Sequence, residues 1–321
     1  LTEASLDVPI RDAMDVRLLG RTDEGIEVWC SEEALRADRI LLLNRLKPHT
    51  DFGGAIGSGL LKMSVVGLGK HAGAQAFHRA AQRLGYEAAL RSMAAVVRRF
   101  APLLGGIAIL EGPQHQTARI VGLPADQLEV LEPALVAEAR RWTPRLPFDE
   151  IDLLIVDRIG KEISGTGMDP NVIGRSIHGY SLLEPEMPRH PRIRRIFVRD
   201  LSSATHGNAT GIGMADFTTS RLVQSVDLRS TYTNALTAIS LQGSKIPIHF
   251  PTDREALAAA LGSLSLPDPR AARVVRIADT LSLAELEVSE ACADEARARP
   301  RELEILGEPA DLSWDANGNL A

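Results

Sequence analysis

Along this chain, short apolar runs alternate with stretches whose apolar residues recur every three or four positions. Residues 38–44 (DRILLLN) form an apolar run closed by a polar residue, the pattern of a buried strand in an α/β sheet. A glycine-rich stretch follows at once, where the carboxyl end of such a strand delivers ligand-binding loops. Residues 72–84 and 87–100 carry apolar positions at helical spacing and predict two helices. Residues 106–110 and 118–123 flank a Gly-Pro-Gln-His turn region and predict a hairpin, and 127–142 predicts a further amphipathic helix. The stretch WTPRLPFDEID then reads as a linker. Beyond it, 151–158 (IDLLIVDR) and 194–199 (RRIFVR) predict strands, each followed by a polar loop. Helices are expected at 218–225, 229–239 and 253–261. Short strands at 273–277 and 303–306, with one charged helix, complete the pattern.

Strands alternating with helices place the chain in the α/β class. The expected architecture is two domains with mixed or mostly parallel sheets flanked by helices, and an active-site cleft between them. Residues 1–146 would form a cofactor-binding domain and 147–290 a second α/β domain. Residues 291–321 are expected as a tail packing back on the first domain.

Composition narrows the function. The 321 residues carry a net charge of −6, which argues against nucleic acid as the main partner, since phosphate backbones need a basic surface. Only 4% are aromatic, so the core must rest on aliphatic side chains. The two cysteines, Cys30 and Cys292, lie far apart without a CxxC spacing and read as reduced thiols of a cytoplasmic chain. No apolar run approaches the ~20 residues of a membrane helix, and no signal peptide is visible.

The candidate chemistry gathers in NRLKPHTDFGGAIGSGLLKMSVVGLGKHAGAQAFH, residues 44–78. His49 lies just past the first strand, where an imidazole can project into a cleft and move protons near neutral pH; a structural histidine is the bland alternative. Lys62 sits in the apolar SGLLKM, so its amine either snorkels to water or is a desolvated nucleophile. The glycines suit a loop whose backbone N–H groups approach a phosphate, but their spacing fits neither GxGxxG nor the Walker pattern. His71 and His78, two helical turns apart, form no HExxH motif. In the second half, Lys161 in IGKEISGTGMDPN suits recognition of a carboxylate, with an exposed loop lysine as the alternative.

Taken together, KPHTDFGGAIGSGLLKMSVVGLGKHAGAQAFH resembles the nickel-pincer-dependent lactate racemase (LarA-like) superfamily. DRIGKEISGTGMDPNVIGR and ATHGNATGIGMADFTTSRLVQSVDLRSTYTNALT resemble a branch of it distinct from the lactate enzyme. The resemblance implies a nickel pincer nucleotide, a sulfur-substituted pyridinium mononucleotide tethered to a lysine by a thioamide. It implies Lys62 as the tether, His78, sixteen residues on, as the nickel ligand, and His49 as one of two acid/base histidines. Lys161 would grip the substrate carboxylate. Gly57, Ser58, Gly59, Gly67 and Gly69 would let the backbone approach the nucleotide. One protein ligand would suffice for nickel(II), because the cofactor's two sulfurs and a ring carbon fill a square-planar set.

The implied activity is racemisation or epimerisation of a 2-hydroxy acid, by proton-coupled hydride transfer through a transient 2-oxo acid. Expected partners are that small-molecule substrate and separate cofactor-maturation enzymes, with no nucleic acid and no membrane. One departure stands out. The family's second acid/base histidine and its substrate arginine lie upstream, yet no histidine precedes His49 here. With the absence of an initial Met, this leads to the expectation that an N-terminal segment of roughly a hundred residues is lacking, an estimate from the resemblance. Two other classes compete: a lysine Schiff-base (PLP-type) enzyme built on Lys62, and a non-catalytic member that binds a hydroxy acid or nucleotide.

Overall fold

The computed structural model describes residues 2–49, 54–175 and 190–321. The chain divides into two compact units between Thr143 and Pro144, within the proline-rich stretch.

The first unit opens with a short helix α1 (Glu3–Leu6) and a hairpin, β1 (Val16–Arg21) and β2 (Glu27–Ser31). A short helix α2 (Glu32–Arg36) leads to β3 (Ile40–Arg45). Then come α3 (Leu60–Lys62), a π-helical segment (Met63–Gly67), and the long helices α4 (Lys70–Leu84) and α5 (Tyr86–Phe100). β4 (Leu103–Glu111), β5 (Thr117–Pro124) and α6 (Leu128–Trp142) complete the unit. β3 runs parallel to β4 and β4 antiparallel to β5, giving a mixed three-stranded sheet. The core joins the inner sheet face (Ile40, Leu42, Ala108, Leu110) to Phe77, Tyr86, Leu90 and Met93 of the helices. β3 was expected as a buried strand, but only alternate residues are covered: Leu41 and Leu43 are 55% and 63% exposed. The sheet packs its core on one face, so period 2 shows through the continuous apolar run.

The second unit holds β6 (Glu150–Ile159), α7 (Pro170–Ile173), β7 (Arg192–Leu201), β8 (Phe217–Thr219), α8 (Ser220–Gln224) and α9 (Leu228–Ala238). β9 (Ile248–Phe250), α10 (Asp253–Gly262), β10 (Val274–Ile277), β11 (Glu287–Val288) and α11 (Glu290–Ala298) follow. The six-stranded sheet has the order β11-β10-β6-β7-β8-β9, parallel throughout except for β11. Both faces of β6 are covered: Leu154 and Val156 enter one core, Leu153 and Ile155 the other. That explains why IDLLIVDR reads as an unbroken apolar run.

The fold is therefore α/β with mixed, mostly parallel sheets flanked by helices. Three local expectations change. The segment 218–225 begins as strand β8, and its helix starts only after Thr219, whose side chain accepts from Leu222 N–H as an N-cap. Residues 303–306 form no strand; Ile305 and Leu306 are exposed and offer no face to a sheet. The tail expected on the first unit belongs to the second, where Cys292, Ala296 and Leu320 are core residues. Among the described residues no helix is long and apolar enough to cross a membrane.

Candidate active site

The first site is built on the short helix that carries Lys62. α3 makes a single α-helical turn and then widens into the π segment. A π-bulge holds one extra residue per turn and is frequent at functional sites. Gly67 lies inside it, and the Met63 side chain occupies the space where its Cβ would be. Leu60, Leu61, Ser64 and Val65 are buried and fix the helix, which leaves Lys62 on the opposite side, partly covered.

The amino end of α3 has no side-chain cap of its own, because its capping residue is Gly59. Glu132 of α6 takes that role from a distance. The Leu61 N–H donates to Glu132 Oε2 at 3.0 Å. A Cβ on Gly59 would come within 2.5 Å of Glu132 Oε1, so only glycine lets the carboxylate approach. Glu132 is fully buried and precedes Pro133 in mid-helix. Pro133 has no N–H for the Glu129 carbonyl, and Arg91 donates to that carbonyl at 3.5 Å instead.

Three of the residues singled out in the sequence converge here. Lys62 Nζ lies 3.3 Å from His49 Nε2 and 3.4 Å from Ser58 Oγ. His49 is buried, its ring tilted against Tyr86 with centroids 4.3 Å apart. Tyr86 meets Phe77 edge-on at 5.0 Å, and Phe77 meets the His78 ring at 5.3 Å. Ser58 is held by a two-way backbone bridge to Lys47, which ties the glycine-rich loop to the end of β3.

The electrostatics follow from burial. Desolvation, aided by the positive Lys47, lowers the Lys62 amine from its ordinary value to about 8. Burial, with the Lys62 charge next in size, lowers His78 to about 4, so its imidazole is neutral at physiological pH. Glu132 goes the other way. Burial raises its carboxyl to about 7, against the pull of the Leu61 and Leu60 N–H groups and of Arg91. Arg91 is already engaged by Glu87 at 2.7 Å and Glu129 at 3.2 Å, so it offers Glu132 no direct ion pair.

The glycines expected to line a nucleotide have protein where a side chain would be. Gly57 faces the Lys47 carbonyl, Gly59 faces Glu132, Gly67 faces Met63, and Gly69 faces the Val65 carbonyl. Close internal packing accounts for the missing Cβ at all four. Thr50–Gly53, directly after His49, lie outside the described residues. His71 shares α4 with His78 but is exposed.

Lys161 lies in the second unit, just beyond β6. Its N–H donates to Thr205 Oγ1 at 3.2 Å and its amine to Asn234 Oδ1, while Asn234 in turn donates to Thr210 Oγ1 at 2.8 Å. Desolvation by the surrounding loops lowers the Lys161 pKa.

Sequence reasoning missed Lys47, Tyr86, Gln82 and Glu132. Glu132 had a legible signal. It falls between Leu128 and Leu135 at helical spacing, a charge in a row of core positions.

Among the described residues, no group of three or more His, Cys, Asp or Glu side chains could hold a metal ion. A metal at this site would therefore take most of its ligands from a non-protein group. The side chains around Lys62 offer groups that could hold such a ligand. His78 is a neutral nitrogen donor, Lys62 has a nucleophilic amine, and the buried Gln82 Nε2, one turn beyond His78, has no hydrogen-bond acceptor among the described residues.

No protein-family model matches the chain, and no curated protein matches it. A search of solved structures finds the lactate racemase apoprotein from Thermoanaerobacterium thermosaccharolyticum, at 15% identity and a TM-score of 0.45. That match covers 85% of this chain and 69% of the other.

Proposed function

We propose that this chain is a LarA-like racemase or epimerase of 2-hydroxy acids that carries a nickel pincer nucleotide on Lys62. The observation that carries the reading is the convergence of Lys62, His49 and His78, with the lysine and the second histidine both shifted toward their neutral forms. The Schiff-base alternative would also use Lys62. It would leave the neutral His78 beside it without a role.

Each side chain has a definite task in this reading. Lys62, at about 8, is roughly one-tenth neutral amine at pH 7, enough to be acylated and to hold a tether. His78 stays deprotonated and presents a nitrogen lone pair to nickel. When bound, the nickel nucleotide supplies an acceptor for the substrate α-hydrogen and its electron pair. His49 serves as one of the two acid/base groups, exchanging the hydroxyl proton of one enantiomer, with its ring tilted against Tyr86. Ser58 and Lys47 add a hydroxyl and a positive charge to the surroundings of Lys62, which favours an anionic ligand. Lys161, steadied by Asn234, is assigned the substrate carboxylate.

The test is intact mass and nickel content of the chain co-expressed with a pincer-synthesis system. One added mononucleotide mapped to Lys62, with about one nickel, is expected. Lys62→Ala should lose both. An unmodified chain, when a control racemase is loaded in the same cells, would overturn the proposal in favour of a non-catalytic binding protein.

A further inference from the structure

We infer that Glu132 is the positioning residue for Lys62: through the amino end of α3, it sets where the Lys62 amine points. The assignment builds on Lys62 as the reactive amine of the proposed function.

Four observations lead to it. Glu132 is fully buried, and among the described residues it has no ion pair, an expensive condition for a carboxylate without a purpose. The Leu61 N–H that donates to it lies one residue before Lys62. The N-cap of that helix is a glycine whose missing side chain makes room for the carboxylate. The helix itself has only one α turn before it widens, so it has little internal hydrogen bonding to hold its start. With Glu132 removed, the first turn loses its acceptor and the Lys62 side chain is free to swing toward water. With the carboxylate in place, Lys62 stays against His49 and Ser58.

The experiment reads Lys62 directly and needs no cofactor. The whole chain is pulsed with trace acetic anhydride across pH 6–11, and labelling at Lys62 and Lys161 is measured by peptide mass spectrometry. Circular dichroism confirms that each variant is folded. Wild-type Lys62 should titrate near 8. In Glu132→Ala its midpoint should rise by one unit or more, which lowers labelling at pH 8 about fivefold. Lys161 should not move. Glu132→Gln keeps an acceptor for Leu61 N–H and should restore the wild-type midpoint, which a mere loss of stability would not reproduce.

Should Glu132→Ala fail to fold, Gly59→Ala serves instead, because its methyl group displaces the carboxylate; the same rise at Lys62 is expected. An unmoved midpoint in a folded Glu132→Ala or Gly59→Ala would overturn the assignment while leaving the proposed function intact. A wild-type Lys62 that titrates as an ordinary lysine would overturn both.

Discussion

Among the described residues two carboxylates are completely buried, and they are treated in opposite ways. Asp253, at the start of α10 in the second unit, is surrounded by donors. Arg199 reaches its Oδ2 at 2.8 Å and Arg221 its Oδ1 at 2.7 Å, while Leu320 N–H donates at 3.0 Å. Arg199 also pairs with Asp157, which pairs in turn with Arg276. Glu132 in the first unit has only backbone N–H groups at the start of α3 and, among the described residues, no ion pair, the nearby Arg91 being engaged elsewhere. Its proton is therefore held up to about 7. The paired carboxylate ties the chain terminus to the sheet. The unpaired one stands at the helix of Lys62, a lysine brought down to about 8. Burial alone does not separate a structural charge from a functional one; the supply of counter-charges does.

The largest expected effect comes from breaking the paired side. Asp253→Ala leaves Arg199 and Arg221 without their shared partner, and Arg199 is only 12% exposed. Removing one member of a buried ion network costs about 3–5 kcal/mol. Urea unfolding should show this loss in the transition of the second unit, and labelling at Lys62 should be unchanged. A loss below about 1 kcal/mol would mean that the network is no more than surface decoration.

The unpaired side should behave differently with pH. Between the ordinary glutamate value of 4.5 and about 7, folded Glu132 holds a proton that the unfolded chain has released. Its contribution is therefore fully present below pH 4.5 and is lost as pH rises through 7, by up to about 3 kcal/mol. Glu132→Gln should flatten that decline and make the first unit more stable than wild type at pH 8. An identical pH slope in the two proteins would show that the carboxyl is not raised.

His78 runs in the opposite direction and is expected to be smaller, since it is only partly buried. Its folded value of about 4 lies below the ordinary 6.5, so stability present above 6.5 is lost as pH falls toward 4. About 2 kcal/mol is at stake. His78→Leu should remove the acid-side loss, measured as thermal midpoint against pH. In wild type the two slopes overlap between pH 4.5 and 6.5 and partly cancel, so only the single variants separate them.

This contrast was partly legible in the sequence. Periodicity located the main strands, the long helices and the break at residues 143–149, because core faces repeat at 2 or 3.6 residues and the linker carries prolines. His49, Lys62 and His78 stood out because bases and amines were set among apolar neighbours, and the fold brings them together. The glycines are ambiguous for a physical reason. A residue without a side chain marks close approach, but not of what, and here protein fills the space at Gly57, Gly59, Gly67 and Gly69. The hairpin of β1 and β2 was missed although TDEG between two alternating runs is a turn signal. Asp253 and its arginines were invisible because such pairing is non-local: Arg199, Arg221 and Leu320 come from separate parts of the chain.

The smallest expected effect tests whether charge number rather than burial underlies the comparison. Arg36 at the end of α2 bridges Glu33 at 2.7 Å and Glu32 at 3.4 Å, with its side chain 68% exposed. Water screens such a pair, and holding two long side chains together costs conformational entropy. Net contributions in helices are therefore about 0.3–0.5 kcal/mol. Arg36→Ala deletes two ion pairs, as many as Asp253→Ala does, yet should shift the urea midpoint of the first unit barely beyond measurement error, and less still in 1 M salt. A loss comparable with that of Asp253→Ala would break the argument, since ion pairs would then count equally wherever they sit and the isolation of Glu132 would carry no special meaning.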